Sequence, residues 1–107
     1  MADELSFDVQ PHGPDAVVIA IAGEVDMDSA SQLAACLLDH PDTDIIVDLS
    51  RVDFLDSSGI NVLVQAYKRV RETGHRLRTR GEQDNVLAVM RASGLDDYFH
   101  GDDRPVG

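Results

Sequence analysis

The sequence predicts a single α/β domain in which a small mixed, mostly parallel β-sheet is covered by helices. Two short runs rich in valine and isoleucine, Ala16–Ala22 and Asp44–Leu49, are typical of strands inside such a sheet. A segment with helical spacing of apolar residues follows each run, and this alternation favours parallel strands joined by right-handed crossovers. The chain has 107 residues, of which 43% are hydrophobic, and this is enough to form one core. We expect the core to span about residues 5–99 and a flexible tail to follow at 100–107.

The first two strands are expected to form a hairpin. The polarity of Leu5–Val9 alternates, which predicts a half-buried strand with three residues on its buried side, Leu5, Phe7 and Val9. Pro11–Asp15 contains the proline and glycine of a reversing turn. Ala16–Ala22 is apolar throughout, so we expect both of its faces to be covered, and Gly23–Asp26 follows it as a loop.

The first helix is predicted from a start signal and an apolar stripe. Ser29 and Gln32 have the spacing of a capping box, so the helix should begin near Ser29 and end at His40 and Pro41. The stripe consists of Ala30, Leu33, Ala34, Leu37 and Leu38. Cys36 is the one cysteine and is expected to be a small core residue, which leaves neither an intrachain disulfide nor a thiolate zinc cluster.

A long second helix is predicted over about Ser57–Thr73, after a loop at Asp53–Gly59. Gly74 is the expected helix stop. The buried face consists of Ile60, Leu63, Tyr67 and Val70, and the basic residues near the C-terminus suit the helix dipole.

The last elements are an edge strand and a third helix. Arginines alternate along His75–Thr79, which fits an exposed edge strand. A helix is expected over Gln83–Ser93, and Gly94 should allow a Schellman motif that brings Leu95 onto Met90. Beyond this helix, two aromatic residues are expected to pin the tail to the core, Tyr98 and Phe99.

Charge and composition narrow the classes of function. The formal net charge is −11, and so acidic a surface repels phosphate backbones and anionic lipids, which argues against binding of nucleic acid or membrane. No apolar run approaches the roughly 20 residues of a membrane span. The acidic N-terminus lacks the basic and apolar regions of a signal peptide. We therefore expect a cytoplasmic protein whose partners have basic surfaces.

Two acidic segments are expected to meet at one edge of the sheet. Glu24 and Asp26 follow the second strand, and Asp53–Ser58 follows the third. If these strands are parallel neighbours, both segments emerge at the carboxyl ends, where sites are built in open α/β sheets.

Ser57 is the residue of this surface with the clearest chemical use. A serine or aspartate at a helix start is usually an N-cap, and that interpretation of Asp56 and Ser57 stays open. The neighbouring hydroxyl of Ser58, and a Gly59 small enough to let another molecule approach the backbone, favour a functional role. A phosphate on Ser57 would be placed to accept hydrogen bonds from helix N-terminal amides and would add about −1.5 to −2 charges beside Asp56 and Asp53.

The sequence resembles the STAS domain of bacterial anti-sigma factor antagonists over about Leu5–Phe99. Four segments carry the resemblance, and a pair of aromatic residues follows them: Gly23–Asp26, Ile46–Leu49, Val52–Ile60, Met90–Leu95, and Tyr98 with Phe99. Together they are specific, whereas the motif Asp-Ser-Ser-Gly alone is not.

The resemblance implies a partner-switching mechanism. The unphosphorylated antagonist binds an anti-sigma factor, a serine kinase that brings its own ATP, and so frees a sigma factor. Phosphorylation ends the binding, and a PP2C-type phosphatase reverses it. The phosphoacceptor of the family maps to Ser57, and the partner surface is expected to include Glu24, Asp26, Asp56, Ser58 and Gly59. The resemblance implies no catalytic residue, metal or cofactor in this chain, and a monomer when it is alone.

Other functions have weaker support. The sequence has no Gly-x-Ser-x-Gly elbow and no Gly-x-x-x-x-Gly-Lys loop, and its four histidines lack metal-ligand spacing. Asp53 and Asp56 as a divalent-ion pair are less expected than a solvated acidic cluster. Two alternatives stay open, a non-switching STAS interaction subunit of a membrane transport or signalling complex and a helix-packing adaptor. The fourth strand, His75–Arg80, is more basic than in the family and is a candidate partner patch.

Overall fold

The computed structural model describes residues 5–40 and 42–95 as four strands and three helices. In chain order these are β1 (Ser6–Pro11), β2 (Ala16–Val25), α1 (Ala30–Leu38), β3 (Asp44–Leu55), α2 (Ser57–Glu72), β4 (Leu77–Arg80) and α3 (Asp84–Ala92). The expectations for Tyr98, Phe99 and the tail at 100–107 fall outside the described residues. None of the helices in the described part is long and apolar enough to cross a membrane.

The sheet has the order β1-β2-β3-β4. β1 is antiparallel to β2, which confirms the hairpin, and the pairs β2–β3 and β3–β4 are parallel, as expected for strands joined through helices. The mixed, mostly parallel α/β fold is therefore confirmed, and β2 and β3 are the parallel neighbours that the prediction of a shared edge requires.

One apolar cluster joins the sheet to all three helices. Its members include Ile19 and Ile21 of β2, Val47 of β3, Leu63 of α2 and Met90 of α3, each at most 1% exposed. Within the described residues, β2 is not covered on both faces, because Val18 and Ala20 on its other face are partly exposed. The expectation that both faces are covered was wrong. The alternate positions of β2 also carry apolar side chains, which are short, so a strand buried on one face has an apolar sequence throughout.

Two residues assigned to buried stripes are exposed. Val9 is 41% exposed because β1 is an edge strand, and Leu38 is 41% exposed because it is the last residue of the nine-residue α1. Ser29 precedes α1 as predicted, but it makes no side-chain capping bond to the helix, so the capping box is wrong. Cys36 packs on the core while half-buried, and burial together with the Asp39 carboxylate raises the pKa of its thiol.

β2 and β3 run further than the sequence predicted. β2 continues to Val25 and β3 to Leu55, so Gly23–Val25 and Asp53–Leu55 are strand rather than loop. The strands extend because Val25 and Leu55 are buried and are partners in the register. The acidic segments are consequently ordered strand ends, not free loops.

The second half of β3 has an unusual burial period. Leu49, Val52 and Leu55 are buried, and two exposed residues lie between each pair, Ser50 with Arg51 and Asp53 with Phe54. The pairing with β2 shifts register at the same two places, where β3 has one residue more than β2. Such bulges re-aim side chains and are frequent beside functional sites.

The boundaries of α2, β4 and α3 agree with the sequence to within about two residues. Gly74 and Gly94 follow α2 and α3 with positive φ angles of 81° and 71°, and the Leu95 N–H donates to the Met90 carbonyl at 2.9 Å, which confirms the Schellman motif. β4 is an edge strand that buries Leu77 and exposes Arg78 and Arg80. A partner role for this basic strand stays a prediction.

Candidate functional site

The two acidic segments meet where β2 and β3 reach their carboxyl ends, which we call the carboxyl edge of the sheet. Val25 and Leu55, the last residues of β2 and β3, are register partners. The Asp56 N–H donates to the Val25 carbonyl at 3.1 Å, so the chain leaving β3 is fixed to the end of β2. The predicted convergence of Asp26 with Asp56 and Ser57 at one edge is therefore confirmed by the topology.

Asp56 is the N-cap of α2. Its Oδ1 accepts the Ser58 N–H at 2.8 Å and the Gly59 N–H at 3.2 Å, and its carbonyl accepts the Ile60 N–H at 3.0 Å. An aspartate in this position satisfies amides that have no partner within the helix, and it places a negative charge at the positive end of the helix dipole. The capping interpretation thus holds for Asp56.

Ser57 is the first residue of α2 and is exposed. Within residues 5–40 and 42–95, its hydroxyl makes no hydrogen bond. Because Asp56 already holds the amides of Ser58 and Gly59, the expectation that a phosphate on Ser57 bonds to helix N-terminal amides does not hold for those two. A group on Ser57 would extend from the edge of the sheet into solvent.

Gly59 is buried and has a packing function. A Cβ built on it would overlap Leu55 Cδ1 and would lie 2.7 Å from Val25 Cγ1. The glycine therefore lets the first turn of α2 approach the ends of β2 and β3. The missing side chain is therefore needed for packing inside the protein. This corrects the interpretation that Gly59 lets a partner approach the backbone.

Asp26 organises the turn between β2 and α1. Its Oδ1 accepts three hydrogen bonds of 3.0 Å, from the Asp28 N–H, the Ser29 N–H and the Ser29 hydroxyl. The Ser29 N–H, followed by its hydroxyl, lowers the pKa of Asp26 below the ordinary value of 3.8, because both stabilise the carboxylate. Asp26 therefore keeps its negative charge at this edge at neutral pH.

Glu24 and Ser58 complete the predicted partner positions. Glu24 is an exposed strand residue whose register partner is Phe54, and its carbonyl oxygen lies 3.1 Å from Ser29 Oγ. Ser58 is half-buried in the first turn of α2. Glu24 can thus contact a partner directly, whereas Ser58 is mostly part of the frame around Ser57.

Asp53 connects this edge to α3. Gln83 Nε2 lies 3.3 Å from the Asp53 carboxylate, and Asn85 Nδ2 donates to the Asp53 carbonyl at 2.7 Å. Within the described ranges, no group of three or more histidine, cysteine, aspartate or glutamate residues is placed to hold a metal ion. The structure thus gives Asp53 a structural task that the sequence did not reveal.

Two exposed apolar residues lie at this edge that the sequence did not predict. Met27 is 77% exposed in the turn after β2, and Phe54 is 45% exposed near the end of β3. Strict alternation from the buried Val52 predicts an inward Phe54, so only the three-residue spacing of Leu49, Val52 and Leu55 could have indicated that it faces out.

The His75–Asp44 pair lies at the opposite edge of the sheet from Ser57. His75 Nδ1 is 3.2 Å from Asp44 Oδ1, and Asp44 is the first residue of β3. Ser57 follows the other end of that strand, roughly 35 Å away at the usual rise per residue. This histidine is too distant to activate the Ser57 hydroxyl.

Comparison with known proteins identifies the family. The family model described as "Mlab, STAS domain" matches residues 9–101. An anti-sigma-B factor antagonist of Bacillus subtilis is 30% identical over 97 residues, which cover 89% of this chain and 88% of the relative. The chain therefore belongs to the STAS domain family, among its anti-sigma factor antagonists.

Solved structures agree with this fold. The anti-sigma factor antagonist SpoIIAA in its unphosphorylated form has a TM-score of 0.74 and 25% identity, covering 87% of this chain and 84% of SpoIIAA. An anti-sigma factor antagonist from Mycobacterium paratuberculosis has a TM-score of 0.76 and 25% identity, covering 94% and 88%. The phosphorylated form of the Bacillus SpoIIAA shares the fold at a TM-score of 0.70 and 23% identity, covering 87% of each chain.

Proposed function

We propose that this chain is an anti-sigma factor antagonist controlled by phosphorylation of Ser57. Unphosphorylated, it binds an anti-sigma factor serine kinase and thereby releases a sigma factor; phosphorylated, it lets the kinase go. The observation that carries the proposal is the exposed Ser57 hydroxyl at the start of α2, where Asp56 already supplies the helix cap. The names of the relatives, and the existence of a phosphorylated SpoIIAA, support it.

The proposed modification is a phosphoryl transfer in which this chain is the substrate. Ser57 Oγ attacks the γ-phosphorus of ATP held by the kinase, a bond from Oγ to phosphorus forms, and the bond to the β–γ bridging oxygen breaks. ADP leaves, and the hydroxyl proton passes to a base of the kinase. A PP2C-type phosphatase reverses the state by hydrolysis, which restores the hydroxyl and releases inorganic phosphate.

The phosphate acts through charge at a fixed surface. It adds about −1.5 to −2 charges at neutral pH next to the carboxylates of Asp56 and Asp26. Because the Ser58 and Gly59 amides are held by Asp56, the phosphate faces solvent or the partner rather than folding back onto these groups. The kinase surface that accepts the neutral serine must then accept a strongly negative group, which weakens the complex.

The supply of ATP to the kinase puts the proposed reaction in the cytoplasm, and the free antagonist is proposed to act as a monomer. Size-exclusion chromatography of the purified chain checks the latter.

The decisive experiment is phosphorylation by the cognate kinase with ATP, followed by mass spectrometry of the peptide that contains Ser57. We expect one phosphate in the wild-type chain and in the matched control Ser58→Ala, and none in Ser57→Ala. Unchanged labelling of Ser57→Ala would contradict the site. A wild-type chain that no cognate kinase labels, but that purifies with a membrane transport complex, would favour the non-switching interaction subunit.

A further inference from the structure

Two exposed apolar side chains lie at the edge that carries Ser57. Met27 is 77% exposed and Phe54 is 45% exposed, while the other large apolar residues exposed in the described part, Val9 and Leu38, lie on the edge strand β1 and at the end of α1. Single exposed apolar residues are ordinary on protein surfaces. Two of them beside an acidic turn at the same end of the sheet require a physical explanation.

The exposure of Phe54 results from the bulge in β3. With strict alternation after the buried Val52, Phe54 would face the core and Leu55 would face solvent. The extra residue opposite Glu24 instead turns Asp53 and Phe54 outward together and leaves Leu55 inward at 2% exposure. The hydrogen bonds from Gln83 and Asn85 to Asp53 hold this arrangement.

The turn that carries Met27 is equally well held. The Asp28 and Ser29 N–H groups on the far side of Met27 both donate to Asp26 Oδ1 at 3.0 Å. Met27 follows Val25 by two residues, and the Val25 carbonyl accepts the Asp56 N–H. Phe54 precedes Ser57 by three residues, so their Cα atoms are within about 11 Å of each other. Both apolar residues thus lie on backbone that is fixed by hydrogen bonds, at the same end of the sheet as the acceptor serine.

We propose that Met27 and Phe54 are the apolar anchors with which the unphosphorylated chain binds the anti-sigma factor, a claim that rests on the proposed function. The aromatic ring and the thioether are side chains enriched in buried interface cores, where they account for much of the affinity. The surrounding carboxylates of Glu24, Asp26 and Asp56 steer a basic partner and fix its register. A phosphate on Ser57 would have to be desolvated inside this contact. Because that desolvation is unfavourable, the kinase would no longer bury Met27 and Phe54.

The test measures affinity of the unphosphorylated chain for the purified cognate anti-sigma factor by isothermal titration calorimetry. We expect Phe54→Ala to weaken binding at least tenfold and Met27→Ala at least threefold. Leu38→Ala and Val9→Ala remove side chains that lie away from this edge and are 41% exposed, close to the 45% of Phe54, and both variants should stay within twofold of wild type. Phe54→Leu keeps an apolar anchor and should recover most of the loss. Far-UV circular dichroism and thermal unfolding confirm that all variants are folded.

The outcomes separate the two proposals. If wild type binds and releases on phosphorylation, but Phe54→Ala and Met27→Ala bind like the Leu38→Ala control, the anchor assignment is overturned while the switch function stands. If the wild type binds the anti-sigma factor in neither state, the proposed function fails and the anchors fail with it.

Discussion

Asp26 and Asp56 perform the same task at neighbouring strand ends. Each follows one member of the Val25–Leu55 pair, and each carboxylate accepts the N–H groups of the residues two and three positions further on. Both carboxylates are therefore fixed by the backbone turn that they close. The acidic edge is a rigid surface with its charges in set positions, and Ser57 lies next to one of them.

Asp56→Ala should destabilise the fold by about 1 kcal/mol, because the Ser58 and Gly59 amides lose their acceptor. Asp56→Asn keeps an acceptor oxygen and should lose less. Urea unfolding at neutral pH measures both. Ser57→Ala is the matched control and should change the free energy of unfolding by less than about 0.5 kcal/mol, since Ser57 is exposed and is not the cap. A larger loss for Ser57→Ala than for Asp56→Ala would reverse the capping assignment.

The pKa of Asp26 should make part of the stability dependent on acid. The Ser29 N–H and then its hydroxyl lower the pKa of Asp26 in the folded state below 3.8. A lowered folded-state pKa stabilises the fold above the unfolded value, and this stabilisation is lost as the pH falls through the folded value. Asp26→Asn should therefore lie closer to wild type in stability at pH 3 than at pH 6. Carboxyl NMR titration gives the direct check, in which Ser29→Ala moves the Asp26 pKa back toward 3.8; a wild-type Asp26 that titrates at 3.8 or above would refute the assignment.

Gly59→Ala should destabilise the fold by about 1–3 kcal/mol, because the new methyl group overlaps the buried side chains of Leu55 and Val25. The sign of the effect is informative. Without that overlap, alanine in place of glycine in a helix would stabilise by up to about 1 kcal/mol. Thermal unfolding of Gly59→Ala distinguishes steric overlap from an ordinary helical glycine, and Ser58→Ala at the adjacent half-buried position is the control. A raised melting temperature in Gly59→Ala would show that the helix does not need a glycine here.

Ser57→Asp should weaken binding to the anti-sigma factor tenfold or more while the fold stays intact. A negative charge at the first residue of a helix is favourable by about 0.3–1 kcal/mol, which offsets repulsion from Asp56. Calorimetric titration measures the affinity, and an unchanged far-UV spectrum shows that the loss is local. If Ser57→Asp unfolds the chain, then Ser57 has a structural role that its exposure does not explain.

The architecture and the location of the site could be predicted from local patterns. The valine- and isoleucine-rich runs located β2 and β3, and the glycines at 74 and 94 located two helix ends, because these features depend on short-range physical chemistry. The resemblance selected Ser57 from the serines of the chain. The alternation of strands and helices was enough to bring Asp26 and Asp56 to one edge.

The side-chain roles at this edge could not be predicted, because they depend on pairing between distant segments. Gly59 is required by Leu55 and Val25, one of which lies 34 positions earlier in the sequence. The outward Phe54 depends on the register shift against β2, and the role of Asp53 depends on α3. Ser29 bonds back to Asp26 rather than forward into α1, because the turn brings the aspartate within reach.

The extra residue of β3 at the register shift beside Asp53 connects parts of the chain that are far apart in the sequence. Deletion of Asp53 would keep Val52 and Leu55 facing the core. It would remove the carboxylate that Gln83 contacts, leaving Gln83 the Ser50 carbonyl, and it would displace the backbone carbonyl that accepts the Asn85 amide. Position 53 is therefore joined to position 83 through its side chain and to position 85 through its backbone. Because Asp53 and Gln83 are joined through both side chains, these two residues are expected to change together as lineages diverge, even though neither receives the phosphate.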